Sequence, residues 1–161
     1  LGTALDACFR RPGTTARLLL VDLDHFKNIN DSYGHHVGDE VLCGVADALR
    51  ASVRKDDLVC RLGGEEFAVI CVGADDASTL RLAERVRSSI EQKVMLQGAH
   101  YAQLRCTVTI GVSDSFGSES ALGQAMQQAD AALYRGKHTG RNRVEHNQSP
   151  SRRNAALDTV H

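Results

Sequence analysis

Carboxylates in two short stretches of this sequence have the setting of a cation site. In Arg61-Leu62-Gly63-Gly64-Glu65-Glu66-Phe67, two acids stand directly behind a pair of glycines. Apolar segments of strand length flank them, Leu58-Val59-Cys60 before and Phe67 to Val72 after, so the stretch reads as a β-hairpin with Gly-Gly in a tight I′ turn. Adjacent acids at a hairpin tip repel each other unless solvent or a cation shares their charge, and glycines leave room for a bulky ligand; a merely solvated turn is the other reading. The second stretch is Leu18-Leu19-Leu20-Val21-Asp22-Leu23-Asp24, typical of a strand buried on both faces that ends in acids. A carboxylate there is placed where sheets commonly present ligands, although an Asp in that position can equally cap the next helix. If the hairpin pairs beside this strand, Asp22, Glu65 and Glu66 converge on one edge of the sheet as a hard-oxygen site suited to Mg²⁺. Mg²⁺ takes one or two carboxylates and fills its other positions with water and substrate phosphates, which implies a nucleotide polyphosphate. Lys27, Lys137 and Arg141 could neutralise its phosphates; Lys137 and Arg141, four apart around a helix end, could also simply offset the helix dipole.

The elements that must hold these residues can be read from hydrophobic period. Leu1 to Arg11 spaces Leu1, Leu5, Cys8 and Phe9 as a short helix that stops at Pro12-Gly13. After the acidic strand comes a polar helical turn, His25 to Asp31, with a break at Ser32-Tyr33-Gly34. From Val37 a long helix puts Val41, Leu42, Val45, Leu49 and Val53 on one face. Asp75-Asp76 can cap a helix with Leu80, Ala83, Val86 and Ile90 inward. Residues 93–103 read as a short strand or loop. Leu104 to Val112 alternates with period two, a single strand. Leu122, Ala125, Met126, Ala129, Ala132 and Leu133 form the stripe of a last helix that Gly136 and Gly140 help to end, and Arg141 to Glu145 could add an edge strand. This order predicts an α+β domain, a central mixed and mostly antiparallel β-sheet flanked by helices. The domain is expected over residues 1–145, with a disordered tail over 146–161, where no apolar period remains.

A chain of 161 residues with 42% hydrophobic content is the size of one such domain. Its net charge of −1 gives no global reason to bind a nucleic acid or an anionic membrane, so an anionic ligand needs a local site. Five cysteines without a CxxC pair, mostly in apolar runs, fit packing roles in a reducing cytosol. No apolar run of about 18 residues is present, so these residues are not expected to span or contact a membrane, whatever segments the full-length protein carries. His35-His36 lacks the spacing of a zinc site.

Taken together, the motifs resemble the GGDEF family of diguanylate cyclases in its GGEEF variant, from Leu1 to about Val144. They are Val21-Asp22-Leu23-Asp24-His25-Phe26-Lys27-Asn28-Ile29-Asn30-Asp31, Tyr33-Gly34-His35, Gly38-Asp39-Glu40-Val41-Leu42, the Gly-Gly-Glu-Glu stretch, Val108-Thr109-Ile110-Gly111, and Ala129 to Tyr134 through Lys137 to Gly140-Arg141-Asn142. Each is a modest signal, and their joint occurrence in order is specific. The resemblance implies a fold related to polymerase palms and nucleotide cyclases, and a reaction that condenses two GTP into cyclic di-GMP with release of two pyrophosphates. It implies two Mg²⁺ per site, with Mn²⁺ as a substitute, held by Asp22, the Leu23 carbonyl, Glu65 and Glu66. Glu65 is the expected general base. Asn30 and Asp39 match readers of guanine, His35 lies near the nucleoside, and Lys27, Lys137 and Arg141 match triphosphate contacts. One site holds one GTP, so a homodimer is implied for activity, in the cytoplasm.

The same resemblance marks a second constellation. Arg54-Lys55-Asp56-Asp57 matches the family's RxxD inhibitory motif, and Arg81 and Arg85 fall where supporting arginines lie, so cyclic di-GMP is implied as inhibitor as well as product. The alternative to an enzyme is a catalytically inactive domain that binds GTP or cyclic di-GMP as a receptor. Gly136 stands where the family commonly has alanine, and the sequence starts past the place of the family's DxLTGLxNR segment.

Overall fold

A computed structural model describes residues 2–93, 95–98 and 101–147. The acidic strand, β1 (Ala16–Leu23), lies at the centre of a five-stranded sheet. It pairs antiparallel with β3 (Glu66–Val72) on one side and with β6 (Val108–Val112) on the other. β2 (Leu58–Gly63) pairs antiparallel outside β3, and β7 (Val144–His146) closes the far edge parallel to β6. The remaining strands, β4 (Leu96–Gly98) and β5 (Tyr101–Leu104), form a separate two-stranded ribbon. The fold is thus α+β, a mixed and mostly antiparallel sheet flanked by helices.

The continuous apolar run of β1 reflects burial on two faces, because successive side chains point to opposite sides of a strand. Leu19, Val21 and Leu23 face a core with Val41, Leu42, Val45 and Leu49 of α3 (His35–Ser52) and Val86 and Ile90 of α4 (Asp76–Gln92). Ala16, Leu18 and Leu20 face a second core with Leu5 of α1 (Gly2–Cys8) and with Ala125, Ala129 and Leu133 of α5 (Leu122–His138). Asp22 and Asp24 continue the second parity, which directs them to the side on which α5 packs. That helix lies close because β6 carries Gly111. A Cβ there would stand 2.1 Å from the Ala129 carbonyl oxygen, so any larger residue would push α5 off the sheet.

Several local expectations shift. The polar turn after β1 is a full helix, α2 (Phe26–Tyr33), and α3 begins at His35 instead of Val37. Asp75 does cap α4, accepting a hydrogen bond from the Ser78 amide at 2.7 Å. The inward stripe of that helix runs through Leu82, with Leu80 only partly buried. The single strand expected from Leu104 to Val112 is two: Leu104 pairs with Leu96 in the ribbon, whereas Val108 pairs with Leu23 in the main sheet. Its alternation matched burial only as far as Val108, since Thr109 and Gly111 are buried as well, and it concealed the break between the two strands. Gly136 lies inside α5 and does not end it; the helix runs on to His138. The edge strand extends to His146, and the rest of the expected tail, residues 148–161, lies outside the described residues. None of the five cysteines forms a disulfide, and burial pushes the Cys71 and Cys106 thiols up to about 12, in keeping with packing roles. Among the described residues no helix is long and apolar enough to cross a membrane.

Candidate active site

Antiparallel pairing of β1 with β3 sets Asp22 directly opposite Glu66. Like charges in cross-strand register destabilise a sheet, so this edge requires a positive charge nearby. Lys137, from the last turn of α5, supplies one. Its ammonium forms ion pairs with Asp22 and with Asp24, the latter at 2.8 Å, and donates to the Leu23 carbonyl at 3.2 Å. Burial pushes the Asp22 carboxyl above the usual carboxylate range; Lys137 opposes this, while Glu65 and Asp24 add to it. Partial desolvation likewise raises Glu66, together with the charges of Asp22, Glu65 and Asp130. These acids gain from any cation that joins them.

Asp24, 3% exposed, has a role the sequence reading missed. It does not cap α2, whose N-cap position is His25 in a left-handed conformation. Instead its carboxylate accepts hydrogen bonds from the hydroxyls of Thr107 and Thr109, each at 2.7 Å, and from the Asn142 amide at 3.0 Å, besides Lys137. Desolvation would raise this carboxyl, but the hydrogen bonds from Lys137, Thr107 and Thr109 outweigh it and hold the group below its ordinary value. Asp24 therefore ties the end of α5 and the loop after it to β1. The alternate threonines on β6 and its approach were the available signal.

The hairpin turn falls one residue later than expected. Gly63 pairs with Glu66, leaving Gly64-Glu65 as the turn, with a register shift between Arg61 and Gly63. Gly64 has a φ of 51°, whereas Glu65 is not among the residues with positive φ, so the turn is not type I′. Arg61 holds it from below, donating through Nε and Nη2 to the Gly64 carbonyl at 3.0 and 2.7 Å. The Leu23 amide donates to the Glu65 carbonyl at 3.3 Å, which fixes the turn against the end of β1. Among the described residues no three His, Cys, Asp or Glu side chains close into a metal cage. The donors are hard oxygens in ones and twos, and a cation already lies on them. That set fits Mg²⁺, which keeps sites for water and phosphate, and does not fit a metal that demands full enclosure by protein.

Between α2 and α3, Asn30 lies over Gly38. Its side-chain oxygen would be 1.9 Å from a Cβ at that position, and it is buried with no hydrogen-bond partner among the described residues. Asp39 follows Gly38 on the exposed side of α3, and His35 is exposed at its first residue. Lys27 is not gathered into this region: it is 85% exposed and pairs with Asp31 one turn along α2. Arg141 lies just past the end of α5, its amide bonded to the Gly136 carbonyl at 3.0 Å.

Arg54, Asp57, Arg81 and Arg85 line one cavity of about 160 Å³ near the opposite end of β2. Asp57 closes its own loop, accepting from the Arg54 amide at 2.9 Å and from Val72 of β3 at 3.2 Å. Arg81 bonds Ser78 and Arg85 bonds the Ser52 carbonyl, so two guanidinium groups are held beside one opening that Arg54 also lines. Such a cavity suits a ligand that offers phosphate oxygens or a guanine edge.

Comparison with known proteins identifies the family and the fold. The family model described as diguanylate cyclase, GGDEF domain, matches residues 1–143. Diguanylate cyclase DosC of Escherichia coli strain K12 is 42% identical over 135 residues, which is 84% of this chain and 29% of that protein. The chain thus spans about a third of the length of such curated relatives. The solved GGDEF domain of DgcB from Caulobacter crescentus, in complex with c-di-GMP, superposes with a TM-score of 0.80 at 33% identity, covering 91% of this chain and 88% of that one. The active GGEEF domain of a diguanylate cyclase from Vibrio cholerae gives a TM-score of 0.78 at 28% identity, covering 92% and 97%.

Proposed function

Because this chain belongs to the GGDEF family of diguanylate cyclases, we propose that it condenses two GTP molecules into cyclic di-GMP with release of two pyrophosphates. The observation that carries the reading is the pairing of Asp22 with Glu66 beside Lys137, a sheet edge whose desolvated acids and backbone carbonyl call for cations. Asp22, the Leu23 carbonyl, Glu65 and Glu66 would hold two Mg²⁺, with Mn²⁺ as a substitute. Metal bound there screens the phosphates, lowers the pKa of the attacking hydroxyl and stabilises the leaving oxygen.

The chain's own residues do the rest. Glu65, at the turn, takes the proton of the 3′-hydroxyl of one GTP as general base. That oxygen bonds to the α-phosphorus of the second GTP while the bond to pyrophosphate breaks in line, and repetition with the roles exchanged closes the ring. Asn30 and Asp39 read guanine, since an amide and a carboxylate together meet its mixed donors and acceptors. The Asn30 side-chain oxygen, buried without a partner among the described residues, supports that role. His35 borders the nucleoside, Lys137 and Arg141 neutralise the triphosphate, and Lys27 would join them only on leaving Asp31. Each chain offers one such cleft, so the catalyst is two copies face to face. Cyclic di-GMP, the compound in the DgcB complex, is the ligand we assign to the Arg54, Asp57, Arg81 and Arg85 cavity, as product inhibitor.

Incubation of the folded, dimeric chain with GTP and Mg²⁺, followed by chromatography, should yield cyclic di-GMP. Glu65→Gln keeps volume but removes basicity, and should retain under a tenth of the rate, a cost above about 1.4 kcal/mol. Failure of the parent to form product, with calorimetry showing nucleotide binding without heat of turnover, would identify a receptor instead.

A further inference from the structure

The Lys137 ammonium occupies oxygens that a metal would need. Its four contacts are Asp22 Oδ1, the Asp22 carbonyl at 3.5 Å, the Leu23 carbonyl at 3.2 Å and Asp24 Oδ1 at 2.8 Å. Two of these belong to the proposed metal ligands. Mg²⁺ binds oxygen at about 2.1 Å, so an ammonium resting on the same two oxygens would crowd and repel it. We propose that Lys137 is an internal counter-ion that competes with the divalent metal for Asp22 and the Leu23 carbonyl, and must leave them before metal binds. The inference rests on the assignment of Asp22 and Leu23 as metal ligands.

The surroundings support exchange in one direction. Asp24 keeps three donors, from Thr107, Thr109 and Asn142, when Lys137 departs. Asp22 keeps none: among the described residues Lys137 is the only donor to its carboxylate. Removal of the ammonium therefore leaves one satisfied acid and one that requires a new cation. Lys137 can make the move, because its flexible four-carbon stem rises from the last turn of α5 and, among the described residues, no other contact holds its head. Nucleotide phosphates would draw it outward, so metal and nucleotide should bind with positive coupling, each favouring the arrangement the other needs.

Mn²⁺ affinity, measured by electron paramagnetic resonance without nucleotide, tests the competition. Lys137→Met is expected to bind Mn²⁺ at least tenfold more tightly than the parent, and to lose the gain in affinity that a non-hydrolysable GTP analogue gives the parent. Arg135→Met removes a positive charge from the same helix end without touching these oxygens, and should change the affinity less than twofold. In the parent, acetylation of Lys137 by acetic anhydride, read by mass spectrometry, should rise at least threefold on addition of Mn²⁺ alone. This last measurement needs no variant to fold. Equal Mn²⁺ affinity in parent and Lys137→Met, equal gains from Lys137→Met and Arg135→Met, or unchanged acetylation while Mn²⁺ binds would each overturn the competition and leave the metal site standing. Binding that Asp22→Asn fails to weaken in either background would instead remove the assignment beneath it.

Discussion

Gly136→Ala restores the residue common in the family and, by helix propensity alone, should stabilise α5 by about 1 kcal/mol. The tertiary structure reverses that sign. A Cβ at Gly136 would stand 2.6 Å from the Thr109 methyl and 3.2 Å from Cγ of Glu145. Thr109 is fully buried, and its hydroxyl is committed to Asp24 at 2.7 Å, so its methyl can yield only by rotation that takes the hydroxyl away. Overpacking of this kind costs about 1–3 kcal/mol, and set against the propensity gain it leaves a net loss near 1 kcal/mol. For a chain of this size that lowers Tm by about 3 °C. Urea denaturation of the parent and the variant measures the difference directly. In a Thr109→Ser background the methyl is gone and the hydroxyl remains, so the same Gly136→Ala change should there stabilise by up to about 1 kcal/mol. A stabilising effect in the parent background, or the same sign in both, would refute the steric argument.

Two further outcomes follow from the cavity at β2 and from β7. Arg54→Ala leaves the Arg54 amide that closes the Asp57 loop, so the loop should persist; cyclic di-GMP binding should weaken by at least about 1.5 kcal/mol with the initial rate unchanged. Equal inhibition of parent and variant by added product would place the inhibitor at the GTP site. His146 is held below its ordinary value of 6.5 by burial and by Arg17 and Arg135, against the opposite pull of Asp114. The unfolded chain therefore takes up that proton first, and the stability present above pH 6.5 is lost as pH falls toward the depressed folded value. His146→Gln should shrink the fall in Tm between about pH 7.5 and 5.5; superimposable Tm profiles would exclude this residue as the cause.

What the sequence by itself determined is the kind of each element and the chemistry it could offer. The unbroken apolar run of β1 required two covered faces, and the structure supplies α3 and α4 on one and α5 on the other. The acids at its end and behind Gly63-Gly64 were legible as a candidate cation site only when taken together, since an Asp at a strand end can equally cap a helix and Gly-Gly-Glu-Glu alone can be a solvated turn. Only the tertiary structure decided which of these groups meet. Hydrophobic period reports the face a residue takes, not its partner, and the partner depends on strand order and register. Hence the alternation of Leu104 to Val112 concealed a change of sheet, and the Gly-Gly pair concealed a turn at Gly64-Glu65. The role of Asp24 depended on Thr107, Thr109, Lys137 and Asn142 arriving from far along the chain. The reach of Lys137 to Asp22 likewise exists because Gly111 and Gly136, having no side chains, let α5 settle against the sheet. A glycine in the sequence announces only that space is permitted there; what fills the space is decided when the layers close.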